Sequence, residues 1–132
     1  MLEEARRTGK YDRLERNELT AYLAANPAAF DVVLSADTLC YFGSLEDFSA
    51  ACFGALLPNG VLVFTVEAMP EEEGASFRLQ PNGRYMHAGG YVDRSLYKAG
   101  FTVEHRRAVD LRMELGKPVA GWLVTARKSH AA

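Results

Sequence analysis

Two short runs of the sequence, FDVVL at residues 30–34 and VLVFTV at residues 61–66, are β-branched and apolar on both faces. A strand of that kind has to be covered on both sides, as parallel strands are when helices flank a sheet. Between the runs, Ser44, Leu45, Glu46 and Asp47 form an S-x-x-D capping box, and Leu45, Phe48, Cys52, Ala55 and Leu56 recur at helical intervals. Pro58, Asn59 and Gly60 then turn the chain into the second run. Strand, helix and strand in this order predict a right-handed parallel crossover, with the first run as a central strand.

The flanks extend this unit. Residues 1–9 place Leu2 and Ala5 at a helical interval and stop at Gly9, which reads as the end of a helix. It opens without an N-cap, so its first turns are expected upstream. The stretch from Tyr11 to Leu19 is polar enough for an edge strand at best, and a helix from about Thr20 to Ala25 is ended by Asn26 and Pro27. After the second run, the glutamates at 71–73 read as a solvated loop tip and residues 77–90 as a long irregular segment. A helix at 91–98 ending at Gly100, a strand at 101–113 and a last strand at 121–127, in which Trp122 packs, complete the chain. The expectation is one domain over residues 1–132, a doubly wound α/β fold with helices on both faces, a mostly parallel sheet and an antiparallel C-terminal strand. Ligands of such sheets bind at the carboxyl ends of the strands. Here those ends are SADTLCYF and EAMPEEEG.

Composition narrows the partners. With 132 residues, 48% of them hydrophobic, the chain suffices for one core, and a formal net charge of −2 supplies no positive field for nucleic acid. No apolar run approaches the length of a membrane span, and MLEEARR lacks the apolar centre of a signal peptide, so the cytoplasm is the expected compartment. Cys40 and Cys52 stand in apolar surroundings and read as small buried hydrophobes, and the three histidines show no zinc spacing, so no metal is expected.

The order FDVVLSADTLCYFGSLEDF, ALLPNGVLVFTVE, FRLQPNGRYMHAGGYVDRSLYKAGF resembles small-molecule class I S-adenosylmethionine-dependent methyltransferases, especially those attached to tetratricopeptide repeats. The resemblance covers nearly the whole chain, with its first two segments similar to the family's strand-four motif and its turn into strand five. It implies a Rossmann-like fold represented by strands three to seven, with the glycine-rich cofactor loop and the acidic end of strand two lacking. It further implies S-adenosylmethionine as cofactor, contacted by Glu18 and Leu19 at the adenine and by Asp37 and Thr38 beside the methyl group. Tyr85 and His87 are implied over the substrate pocket as catalytic residues, His87 as a general base on the acceptor. Tyr41, Arg78 and Arg84 are the substrate-binding candidates, the arginines by gripping a carboxylate.

The implied activity is methyl transfer to a small molecule, with this chain weakly active or inactive by itself. The alternative is a non-catalytic binding or oligomerisation module built on the same fold. A nicotinamide-dependent oxidoreductase has no G-x-G-x-x-G to support it. The resemblance leaves the strand at 30–34 without its neighbour, so a homodimer is expected, through that sheet edge or through exchange of residues 1–25.

Overall fold

In the computed structural model, which describes residues 2–10, 18–70 and 74–129, the two apolar runs become β1 (Phe30–Ser35) and β2 (Leu56–Met69). They pair in parallel, with Val32 opposite Val61 and Leu34 opposite Val63. The crossover between them contains a single 3₁₀ turn (Leu39–Tyr41) and helix α3 (Glu46–Ala55). Ser44 Oγ accepts from the Glu46 N–H at 3.3 Å, so the serine of the capping box does meet the start of the helix. No reciprocal bond from Asp47 accompanies it among the described residues.

Pro58-Asn59-Gly60 does not separate helix from strand as a free turn. It is a bulge inside β2, with Asn59 in the left-handed region at φ +67° and the pairing with β1 slipping between Phe30 and Val32. The kink is tied to the far end of the sheet, where the Asn59 N–H donates to Lys128 O and the Lys128 N–H donates to Gly60 O.

Helix α1 (Leu2–Thr8) ends where Gly9 turns to φ +64°, and buries none of its residues. Helix α2 (Leu19–Ala24) is capped by Glu18, whose Oε2 accepts from the Ala21 N–H at 2.6 Å. The edge strand expected from Tyr11 to Leu19 falls mostly outside the described residues, as do the glutamates at 71–73. Leu19 itself opens α2 instead.

Residues 77–90 are where the expectation of an irregular loop is overturned. They hold a hairpin of β3 (Phe77–Leu79) and β4 (Tyr85–Ala88), and Gly89 already begins helix α4 (Gly89–Ala99). Pro81-Asn82-Gly83 is only the tip, closed by the Gln80 N–H donating to Arg84 O. The flanking Phe77 and Leu79 alternate against Tyr85 and His87 across the pair, a period of two that the turn-forming composition between them obscures. A second hairpin, β5 (Thr102–Glu114) and β6 (Lys117–Arg127), closes the chain through Leu115 and Gly116, both at positive φ.

The sheet runs β1-β2-β6-β5, and β4 with β3 joins β2 beyond the end of β1. Since β6 occupies one side of β2 from Val61 to Glu67, β4 takes over the other side at Glu67–Met69, just past the last pairing of β1 at Phe64. Strand β6 is antiparallel to β2, as expected of the C-terminal strand; β1, β2, β4 and β5 share one direction.

One core holds the layers together. Leu23 of α2, Phe48 and Cys52 of α3, Val92 and Leu96 of α4 pack against Leu62, Phe64, Val66, Val124 and Ala126 of the sheet. Burial pushes the Cys52 thiol up to about 12, an inert hydrophobe as the sequence suggests. Among the described residues the helices α2, α3 and α4 therefore cover one face, not both, and β1 stands at an edge rather than in the centre. Val32 is 58% exposed and Leu34 72% exposed, so one face of β1 lacks cover among the described residues. The apolar pattern of a strand states that cover is needed and does not state which segment supplies it.

Candidate functional site

The hairpin on the end of β2 brings three carboxyl ends together, those of β1, β2 and β4. Leaving β1, the chain turns sharply at Asp37, whose φ of +57° is unusual for a residue other than glycine and tolerable for aspartate. The Asp37 N–H donates to Thr65 Oγ1 on β2 at 3.3 Å, and the Thr38 hydroxyl donates to Ala36 O. Cys40 lies buried in the turn that follows, its thiol pushed up by burial, while Tyr41 next to it is exposed.

At the end of β2, Glu67 is only 4% exposed. A buried carboxylate needs partners, and this one has them on both oxygens. Gln80 Nε2 donates to Oε1 and Arg112 Nη2 donates to Oε2, each at 3.2 Å. Arg112 also donates through Nη1 to Asp37 Oδ1 at 3.1 Å and through Nε to Glu114 Oε1 at 3.0 Å. Arg84 joins the same group at 3.6 Å from Glu114 Oε1. Burial works against the charge of Arg112, but the bonds to Glu114 and Glu67 and the charges of Glu67 and Asp37 outweigh it and hold the guanidinium above its usual range.

His87 is the surprise of the site. The sequence puts it in an irregular segment over the substrate pocket; it lies on β4, 0% exposed. Its ring stacks on Tyr91 at 6.4 Å and 11°, with Phe77 on another side at 6.2 Å. Nε2 sits 2.9 Å from Gly43 O, a carbonyl that only accepts, so Nε2 carries the proton. Nδ1 has no partner among the described residues. Burial lowers the imidazole below its ordinary value, and the backbone contacts at Gly43 and Phe42 and the charge of Glu67 offset only part of that. Neutral and closed off from water, His87 fastens the segment before α3 to the hairpin. Tyr91 fastens the next step of the same segment, its hydroxyl accepting from the Leu45 N–H at 3.0 Å.

The other residues singled out by the sequence divide. Tyr85 stands beside His87 on β4, half-buried and edge-on to Phe77. Arg78 reaches across the hairpin to Met86 Sδ at 3.2 Å. Glu18 and Leu19 are at the N-terminus of α2, where Glu18 serves as the cap. Glu67, Gln80, Arg112 and Glu114 were missed. Glu67 had a signal, as the first residue of a strand-end segment, but nothing in the sequence pairs it with an arginine 45 positions away. Among the described residues no group of histidine, cysteine and acidic residues could hold a metal, and no helix is long and apolar enough to cross a membrane.

No family model matches the chain, and no curated protein matches it. Solved structures do. A Listeria monocytogenes protein described as an S-adenosylmethionine-dependent methyltransferase superposes on 98% of this chain with a TM-score of 0.79 at 21% identity. The fold is that of the class I methyltransferases. A second methyltransferase of that description, from Mesorhizobium loti, matches 96% of the chain with a TM-score of 0.70 at 21% identity. The [4+2]-cyclase SpnF matches 98% with a TM-score of 0.77 at 18% identity. The chain spans 76% of the Listeria protein, 75% of the Mesorhizobium protein and 61% of the cyclase.

Proposed function

We propose that this chain forms the acceptor side of an S-adenosylmethionine-dependent methyltransferase that acts on a small molecule. The observation that supports the reading most is the meeting of Asp37, Glu67 and the β3–β4 hairpin at the carboxyl ends of β1 and β2, on a fold shared with methyltransferases.

The residues present fit one end of the cofactor. Glu18 holds one carboxylate oxygen on the Ala21 N–H, and a carboxylate accepts at both oxygens, so it can also accept from an adenine amino group. The Leu19 N–H belongs to the first turn of α2, where helix N–H groups lack intrahelical acceptors and are available to a ring nitrogen. Asp37 and Thr38, at the end of β1, offer polar groups toward the reacting end. For the methionine portion the fit is poor: the one glycine before β1 is Gly9, which ends a helix rather than a strand. When bound, the cofactor supplies an electrophilic methyl group on a sulfonium.

The chain's own work is to orient an acceptor. Tyr41, Tyr85, Arg78 and Arg84 are the groups we assign to the acceptor pocket. Arg112 fixes the Asp37 carboxylate from one side. His87 acts as a positioning residue, holding Gly43 so that the turn from Asp37 to Tyr41 keeps its shape.

Calorimetry with S-adenosylmethionine tests the reading. The 132-residue chain is expected to bind weakly or not at all, and a version extended at its N-terminus by the strand, glycine-rich loop and helix that the sequence resemblance implies is expected to bind and to transfer a labelled methyl group to a small-molecule acceptor. Micromolar affinity of the chain alone would overturn the assignment of where the cofactor is held. An extended form that binds no cofactor would favour the reading as a non-catalytic module.

A further inference from the structure

We infer that the groove between α4 and the outermost strand β5 takes up an acidic peptide of a partner protein in extended form, as a further strand of the sheet. The groove encloses about 620 Å³, with Asp93, Arg94 and Tyr97 on the helix side and Val103, His105 and Arg106 on the strand side. It lies at the other end of β5 from Arg112, away from the strand ends around Asp37. It is also at the far side of the sheet from β1, beside which the resemblance places an upstream strand. Both of its walls therefore belong to the described residues.

Strand β5 bonds to β6 along one side. Alternate residues of an antiparallel pair turn their N–H and C=O outward, and among the described residues no backbone group meets those of β5 on its outer side. Slips in the pairing between Val103 and His105 and between Asp110 and Arg112 bracket residues 105–110, which stay in register with β6 throughout. An extended chain laid along this stretch completes the ladder and turns every second side chain into the groove.

The floor of the groove is preformed. Arg106 donates through Nε and Nη2 to the two carboxylate oxygens of Asp93 at 2.9 and 3.0 Å, and its guanidinium lies 4.4 Å over the Trp122 ring. Glu104 accepts from Arg127 Nε at 2.9 Å. Both carboxylates of the groove are thus matched by arginines, whereas Arg94, exposed on α4, and Arg107, exposed on β5, have no acidic partner among the described residues. The uncompensated charge is positive, which selects an acidic strand.

Tyr97 supplies the apolar contact. It is 81% exposed, and aromatic side chains of this kind anchor interfaces. One helical turn, about 5 Å along the axis, separates it from Arg94, against about 6.7 Å between alternate residues of a strand. One peptide side chain can therefore rest on Tyr97 and Val103 while the next but one reaches Arg94. The sequence that fits has an apolar and an acidic residue two positions apart.

Fluorescence anisotropy of a labelled peptide with the repeat Val-Thr-Glu-Thr, titrated with the 132-residue chain, tests this. Micromolar binding is expected, with little for the same peptide carrying lysine in place of glutamate. Tyr97→Ala should weaken binding roughly tenfold or more, and Arg94→Glu should shift the preference toward the lysine peptide. Both side chains are exposed, so circular dichroism spectra should stay unchanged. Of two peptides N-methylated at alternate residues in opposite phase, one should lose binding and the other keep it, because only one set of N–H groups faces β5. Equal binding of the glutamate and lysine peptides, or no binding of either, overturns the proposal, and so does full binding of both N-methylated forms. A dimer in light scattering that Tyr97→Ala dissociates would assign the groove to a second copy instead. A form extended at its N-terminus that fails to bind the peptide would assign it to the chain's own upstream segment, and either result also overturns the proposal.

Discussion

Arg112 Nη2 lies 3.2 Å from Glu67 Oε2, joining the outermost strand β5 to the end of β2 across the intervening β6. Through this pair the C-terminal hairpin reaches the site at the end of β1, because the same guanidinium holds Asp37. A residue near the end of the sequence thus sets the geometry of one near its first third.

Removing Arg112 leaves a buried carboxylate with Gln80 as its remaining partner. Arg112→Met is expected to cost about 3 kcal/mol of stability, the range found when one member of a buried pair is deleted. Urea denaturation followed by circular dichroism measures it. A loss below about 1 kcal/mol would show that Glu67 finds another partner or takes up a proton.

Asp37 is different, being paired but largely solvent-facing. Asp37→Asn keeps a residue that tolerates the left-handed region and breaks only an exposed ion pair, so stability should fall by about 1 kcal/mol or less. In the extended, cofactor-binding form the same change is expected to weaken S-adenosylmethionine binding several-fold by calorimetry. Unchanged affinity would remove Asp37 from the cofactor side.

The burial of His87 gives the protein a pH dependence whose sign can be worked out. Its folded value lies below the ordinary 6.5, so as pH falls the unfolded chain takes up the proton first. Its contribution to stability is complete above about pH 6.5 and is lost as pH drops through the folded value. The denaturation midpoint should therefore decline between pH 7.5 and 5 more steeply in the parent than in His87→Gln. Parallel profiles would show that the imidazole is free to ionise in the native state.

A positioning role for His87 separates from proton transfer by the choice of substitution. In the extended form, His87→Ala should lower turnover roughly 100-fold, whereas His87→Asn, which can still donate to Gly43 O, should recover most of it. If asparagine is as poor as alanine, the bond to Gly43 O is not what His87 contributes to turnover.

Gly100 ends α4 at φ +111°, and a Cβ there would come within 2.9 Å of the Phe53 ring. Gly100→Ala is expected to lower stability by about 1 to 2 kcal/mol from the backbone alone, with a further loss as Phe53 gives up its edge-on packing on Phe101. A thermal melt unchanged within a degree would contradict this.

Much of the fold was legible in local pattern. The runs around Val33 and from Val61 to Val66 announce strands by being apolar on both faces, Phe48 and Cys52 announce α3 by their spacing, and Gly9 and Gly100 mark helix ends because a left-handed residue is needed there. The hairpin at Phe77–Ala88 was not legible, because its short strands carry a period of two over only three or four residues while Pro81, Asn82 and Gly83 dominate the composition. For the site, the sequence pointed to the strand ends around Asp37 and to the stretch holding Tyr85 and His87, but not to the burial of His87. Burial depends on what packs above a side chain, and Tyr91 and Phe77 do so from other turns of the chain.

What the sequence determined by itself is therefore a part of the elements and their direction: a parallel crossover, a capped helix and a long C-terminal pair, each fixed by contacts among near neighbours. Tertiary structure alone decided that β4 continues the edge of β2 where β1 stops and that Arg112 meets Glu67 and Asp37. Those relations join residues tens of positions apart, and their energies depend on burial and on partners that no local pattern encodes.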